Sequence, residues 1–313
     1  MGQTQSAFEA ELAQAATDGD LAQVQALLAQ GVSPNATKWG YSALYNATWS
    51  RREDVLDCLL AAGANVNYGG SNVPSPLAVA VEREAPEAIF RRLLAAGATV
   101  DTILCEVPLL GLAVVSKHTW LLPLLLDANP NVNLETKTKG GALFQAAHKG
   151  DLDAVNLLLA KGALVNGRDS TLTTPLWTAA CHGHADVVDR LLLANVNVHR
   201  CNDRGETPLF AAAAGGHTRV VTSLLAAGAN VHQGDNQGIT PLVEAAAAGH
   251  ADVVAILLAA NATIECTARG PMVHAATRSH TDVVLLLCRA IVDRADKQAL
   301  GRDASSDNVP DVK

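Results

Sequence analysis

Residues 205–232 read GETPLFAAAAGGHTRVVTSLLAAGANVH, and this stretch decides the fold. The Thr207-Pro208 step starts a helix: the threonine oxygen accepts an N–H of the first turn, and proline presets φ. The helix predicted over Thr207–Ala214 is faced with alanine, so a neighbour can approach closely. A second helix, Thr218–Ala226, carries a Val-Val-x-x-Leu-Leu pattern that gathers larger apolar side chains on one face. Gly228 stops it. One such pair cannot bury its apolar face alone, so pairs must stack.

The same phrase returns along the chain. Leu44, Leu77, Leu110, Leu143, Leu176, Leu209 and Leu242 fall 33 residues apart, and Met272 follows at 30. A second comb marks the turn after each second helix: Gly31, Gly63, Gly97, Asn129, Gly162, Asn195, Gly228 and Asn261. Gly and Asn are the residues that best enter the left-handed conformation such a turn requires. Ala10–Gln30 is a worn first copy, and its outward glutamines, Gln14 and Gln23 among them, suit a terminal repeat with nothing stacked beyond it. In the third copy Pro86 starts the second helix, and the spacing from Leu77 to Leu93 is one residue longer than elsewhere, which predicts a local bulge. The fourth, PLLGLAVVSKHTWLLPLLLDANPNVN at 108–133, is the most degenerate, and Pro123 should kink or shorten its second helix. The expected organisation is an N-terminal segment over 1–7, about nine repeats over 8–290 with the first and last as caps, and a disordered tail over 291–313.

Composition agrees with many small helices. Of 313 residues 49% are hydrophobic but only 4% aromatic, so Ala and Leu supply the apolar content. A net charge of −8 argues against the basic face that nucleic acid requires. The six cysteines form no C-x-x-C pair and read as reduced thiols used as small apolar residues. No apolar run approaches the ~18–20 residues that span a bilayer, and the N-terminus lacks the basic and apolar regions of a secretory signal. A cytoplasmic chain is expected, with nuclear or peripheral membrane locations also open.

The motifs of catalysis are absent. No phosphate-binding G-x-x-x-x-G-K-[S/T], G-x-G-x-x-G or G-x-S-x-G occurs. His118, His184, His217 and His250 share one repeat position, with His280 closing the series. Equivalent positions in adjacent repeats lie ~8–10 Å apart, whereas ligands of one zinc ion bind at ~2 Å and crowd together. These histidines read as structural, and no metal, cofactor or catalytic residue is expected. Asp186, Asp252 and Asp282 recur at the start of second helices, where the helix dipole favours a carboxylate.

The copies at 174–198, 207–231 and 240–264, TPLWTAACHGHADVVDRLLLANVNV, TPLFAAAAGGHTRVVTSLLAAGANV and TPLVEAAAAGHADVVAILLAANATI, closely resemble ankyrin repeats. The resemblance covers about residues 8–290 and is strongest over 141–290. Departures are Asn for Gly after several second helices and loss of Thr-Pro in the first, second and fifth repeats. It implies an all-α repeat fold, an ankyrin-repeat solenoid of stacked helix-turn-helix units with projecting β-hairpin-like loops. It also implies a non-catalytic adaptor or protein–protein interaction module that binds through repeat loops and a concave face. A regulatory inhibitor masking an enzyme or transcription factor is the alternative. A monomer is expected.

In proteins of that kind partners meet the loop before each Pro-Leu start and the end of each first helix. Those places hold Lys38, Trp39, Tyr41 and Trp49 in the second repeat, and Glu82 and Arg83 in the third. Further on they hold His148, Lys149, His182, Asp203, Arg204, Asn236 and Gln237. Trp39, Tyr41 and Trp49 are three of the seven Trp and Tyr residues, with Tyr45 nearby. Two readings stand: the rings fill space around an irregular end repeat, or they anchor a partner, as exposed aromatics with Arg do. Two modification patterns complete the inventory. Met1-Gly2-Gln3-Thr4-Gln5-Ser6 fits the N-myristoylation pattern at Gly2, though one such chain gives only weak membrane binding. The x-V-N endings at Asn67, Asn133, Asn166 and Asn197 resemble asparagines hydroxylated in some ankyrin-repeat proteins, without the usual preceding acidic residue.

Overall fold

The computed structural model describes residues 2–69, 73–116, 118, 120–136, 140–265 and 269–306, with 2–5 and 297–306 as backbone alone. Eighteen helices among these residues form nine sequential pairs. The first four pairs are α1 (Gly2–Asp18) with α2 (Leu21–Ala29), α3 (Ala43–Trp49) with α4 (Glu53–Ala61), α5 (Pro76–Glu82) with α6 (Glu87–Ala95), and α7 (Leu109–Val115) with α8 (Leu121–Asp127). Then come α9 (Ala142–Lys149) with α10 (Leu152–Ala160), α11 (Pro175–Cys181) with α12 (Ala185–Leu192), and α13 (Pro208–Ala214) with α14 (Thr218–Ala226). Two more pairs, α15 (Pro241–Ala248) with α16 (Ala251–Ala259) and α17 (Pro271–Thr277) with α18 (Thr281–Ser306), complete the series. No helix among the described residues is long and apolar enough to cross a membrane.

The pairs begin as their residues dictate. Thr207 Oγ1 accepts the Phe210 N–H at 3.1 Å, and Pro208 follows at the first helical position. Thr174, Thr240, Ser42 and Ser75 repeat the same cap on Trp177, Val243, Tyr45 and Ala78. Second helices end in the left-handed turn, with φ of 85° at Gly228 and 57° at Asn195.

Two compact halves share the chain, Met1–Ala146 with Asn156–Leu164, and Ala147–Val155 with Val165–Lys313. Within the second, α11 packs on α13, α13 on α15 and α15 on α17, while α12, α14, α16 and α18 stack alongside. The first half repeats this with α1, α3, α5 and α7 in one row and α2, α4 and α6 in the other. Ala179, Ala180, Ala212, Ala213, Ala245 and Ala246 are wholly buried. So are Leu176, Leu209 and Leu242 of the 33-residue comb, each contributing about 2 kcal/mol by area removed from water. Met272, in the last pair, is only half-buried.

Three irregular places in the sequence have the following form. The extra residue between Leu77 and Leu93 is absorbed in the turn 83–86, not as a bulge within a helix, and Pro86 is the N-cap residue of α6. Pro123 stands third in α8, where a missing N–H leaves no intrahelical bond unmade. The helix is therefore short, at 7 residues against 9 in α14, rather than kinked. The last helix carries regular backbone to Ser306, past residue 290, where the expected tail begins; residues 307–313 lie outside the described residues.

A histidine and a glycine lock adjacent repeats. His217 Nε2 donates to the Cys181 carbonyl at 3.0 Å, and His184, His250 and His280 reach back in the same way to His148, Ala214 and Ala247. A carbonyl can only accept, so each Nε2 carries the hydrogen. The imidazole lies on the turn glycine of the preceding repeat: a Cβ at Gly216 would stand 2.7 Å from His250 Nδ1. Glycine is required there twice over, by that contact and by its φ of +71°.

A second ladder uses Asx side chains. Asn35, Asn67, Asp101 and Asn133 each accept the N–H two residues past the next repeat's helix-ending turn, at 2.6, 2.7, 2.8 and 2.8 Å. Asn166 does the same to Asn197 in the other half, at 3.2 Å.

Two experiments follow. Gly216→Ala should cost about 1–3 kcal/mol more than Gly228→Ala, because both strain the backbone but only Gly216 has a ring against it; equal losses in urea unfolding would remove the His–Gly contact from the account. Amide exchange should be faster over Leu110–Asn129, where neither helix has a side-chain cap, than over Leu209–Ala227.

Candidate partner-binding surface

The loop of the second repeat is a hairpin. β1 (Thr37–Lys38) pairs antiparallel with β2 (Tyr41–Ser42), and Trp39-Gly40 form its tip with φ of 55° and 85°. Two successive positive φ values make the turn that joins twisted strands best, and they favour Asn or Gly. A tryptophan in that conformation costs about 1 kcal/mol. Its ring is also 85% exposed, so folding gains little from it. The equivalent hairpin of the fourth repeat, β3 (Ile103–Leu104) with β4 (Val107–Pro108), carries Cys105 and Glu106 at its tip. Further along, side chains hold the loops: Asp169, Asn202 and Asp235, 33 residues apart, each accept two loop N–H groups.

Behind the tip runs a row of rings. Tyr41, Tyr45 and Trp49 are four residues apart and so share one side of α3 and its start. Tyr41 and Tyr45 have centroids 4.7 Å apart, and Tyr45 and Trp49 stack at 6.0 Å. Tyr45 is buried, and that burial, with Tyr41 and Glu82 acting the same way against an opposing Arg83, pushes its phenol up to about 12. It is a neutral donor throughout the physiological range. Lys38 Nζ lies 4.6 Å over the Trp39 ring and the Arg83 guanidinium 4.2 Å over Trp49. Together with Gln14, Thr17 and Asn46 these rings line an open recess of ≈ 330 Å³.

The structure thus brings Lys38, Trp39, Tyr41, Trp49 and Arg83 to one place, with Glu82 exposed beside Arg83. The remaining candidates lie elsewhere. Asp203, Arg204, Asn236 and Gln237 are exposed on loops of the other half, but Asn236 has a folding role: its backbone N–H and side-chain amide donate to the Arg204 and Asp203 carbonyls at 2.9 Å each. Tyr45, Gln14, Thr17 and Asn46 were missing from the sequence-derived set. The four-residue ring spacing could have supplied Tyr45; the other three depend on how α1 packs on α3.

Among the asparagines, Asn67, Asn133 and Asn166 are rungs of the inter-repeat ladder. Asn197 is not. It stands two residues earlier in its repeat, donating its N–H to Asn166, and His199 occupies the ladder position. Gly2 opens α1, and Met1 lies outside the described residues.

His148, Lys149 and His182 are exposed on the first helices' ends. The rings of His148 and His182 meet edge to face at 4.5 Å, and His182 stacks on His184 at 5.9 Å. Desolvation, then His182 and His184, lower the His148 pKa below its ordinary value. Among the described residues no group of three or more His, Cys, Asp or Glu side chains is arranged to hold a metal ion.

Comparison with known proteins matches a family model for "Ankyrin repeats (3 copies)" at residues 110–200 and 185–270, and one for "Ankyrin repeats (many copies)" at 12–60. The chain is also 34% identical over 74 residues to the mouse 2-5A-dependent ribonuclease, a match covering 23% of this chain and 10% of that protein. It therefore spans about a tenth of that relative's length, and the activity in the relative's name does not pass to this chain.

The lowered His148 pKa has a definite sign. Below pH ~6.5 an unfolded histidine takes up a proton that folded His148 resists, so stability is full above that pH and falls as pH drops from there toward the folded pKa. The midpoint of thermal unfolding should drop between pH 7.5 and 5.5, and His148→Gln should make the drop smaller. An equal drop in both proteins would show that His148 does not carry it.

Proposed function

The chain belongs to the ankyrin-repeat family, whose repeats are generally non-catalytic protein–protein interaction modules, and from that premise we propose that it is a binding adaptor whose principal contact is the hairpin tip and ring row of the second repeat. One observation carries the reading: Trp39 is a bulky residue in a left-handed backbone conformation, 85% exposed, beside a row of three rings. A residue that strains the backbone and buries little against its own chain is better accounted for by a partner than by packing. Trp, Tyr and Arg are the side chains that anchor interfaces, Trp and Tyr because they bury large areas at low entropic cost. The other candidate surfaces offer less. Ala214 and Ala247 at the corresponding first-helix ends are half-buried and buried, respectively, and offer only methyl groups, and Asn236 is committed to its neighbouring loop.

Changing Trp39 and Trp49 to Ala together should weaken partner binding by 2 kcal/mol or more, about thirty-fold, as hot-spot truncations do. The protein should stay folded, with Trp49, 37% exposed and stacked on Tyr45, accounting for most of any fall in the thermal midpoint. Proximity labelling of parent and variant in the same cells, with Arg204→Ala as a control on a different loop, reads the effect. Partner recovery unchanged by the tryptophan changes would discard this surface.

A further inference from the structure

The recess is aromatic along its floor and cationic at its edges. Lys38 sits over Trp39 and donates to Gln14 Oε1 at 3.0 Å, while Arg83 sits over Trp49. Among the described residues neither cation has a carboxylate within ion-pair distance. The neighbouring acids are turned elsewhere: Asp18 accepts from Gln14 Nε2, and Glu53 and Asp57 hold Arg92. Glu82 is exposed and forms no ion pair with Arg83. In a chain of net charge −8, two cations without an ion-pair partner among the described residues flank one aromatic row, with the Glu82 charge close enough to act on Tyr45. Stacking on the tryptophans fixes them in place while leaving their charge to be neutralised by what binds.

The row also has a spacing. Successive centroids are 4.7 and 6.0 Å apart, both shorter than the ~6.6 Å between alternate side chains of an extended strand, so the rings make one continuous apolar strip rather than separate pockets. Resting on the reading of this recess as the partner contact, we propose that its occupant is an acidic linear segment of a protein. Its apolar side chains pack on the ring row, and flanking Asp or Glu residues pair with Lys38 and Arg83. The Tyr45 hydroxyl and the indole N–H groups are donors suited to the carbonyls of such a segment.

The test is a selection from a displayed library of random 12-residue peptides on the full chain, run in parallel on the Trp39→Ala/Trp49→Ala protein. Peptides enriched on the parent and lost on the double variant should carry Asp or Glu on both sides of apolar residues. The best of these should bind more weakly as NaCl is raised from 50 to 300 mM. Lys38→Gln and Arg83→Gln, both surface changes, should each weaken it about two- to five-fold, the range of a solvent-exposed ion pair. Tryptophan-dependent enrichment of neutral or basic peptides would overturn the acidic assignment and leave the surface standing. Enrichment indifferent to the tryptophans, or none on either protein, would remove the surface and this inference together.

Discussion

An alanine-faced helix can bury itself only against something equally thin, and that constraint organises the molecule. Ala179 and Ala180, Ala212 and Ala213, and Ala245 and Ala246 are wholly buried between successive first helices. Bulkier residues there would hold the helices apart and break the bonds that cross from repeat to repeat. The His217 bond to the Cys181 carbonyl, and the contact of His250 with Gly216, exist only at that separation. Stacking is thus both hydrophobic and directional. The leucines supply the burial energy, and the histidine and Asx ladders set the register.

The same demand explains what the loops are free to do. Because caps, turns and ladders satisfy each repeat's backbone, the loop tip is relieved of structural duty and can carry chemistry of another kind. In the later repeats that freedom is little used: Asp169, Asn202 and Asp235 close the loops on themselves, and Asn236 ties its loop to the preceding one. The second repeat departs from this. Its tip is a tight hairpin with Trp39 in a conformation that suits asparagine or glycine, and the ring row behind it is topped by Arg83 from the next repeat. Function in a repeat array is carried by such departures, since whatever recurs at every copy is already accounted for by folding.

Much of this was legible in the chain before any coordinates. The Thr-Pro starts, the Gly and Asn turns and the 33-residue comb each follow from local backbone chemistry, and each stands where expected. The local surprises arose where a motif was read without its register. Asn197 matches the x-V-N ending, yet the ladder position belongs to His199, because the Val-Asn pair of that turn comes two residues early. Of the two outcomes open to Pro123, a kink or a shorter helix, the structure has the shorter helix, since a proline in a first turn breaks no bond.

What the sequence determined by itself is everything set by contacts of short range or fixed period: which residues begin, end and face each helix, and that the pairs must stack. What only the tertiary structure decided is which side chains from different repeats meet. That Gln14 and Thr17 of the first repeat, Trp39, Tyr45 and Trp49 of the second and Arg83 of the third gather around one recess depends on how α1, α3 and α5 pack. The reason is geometric. A 33-residue spacing says that two positions are equivalent, but the translation and twist between adjacent repeats, set by packing, determine whether their side chains touch.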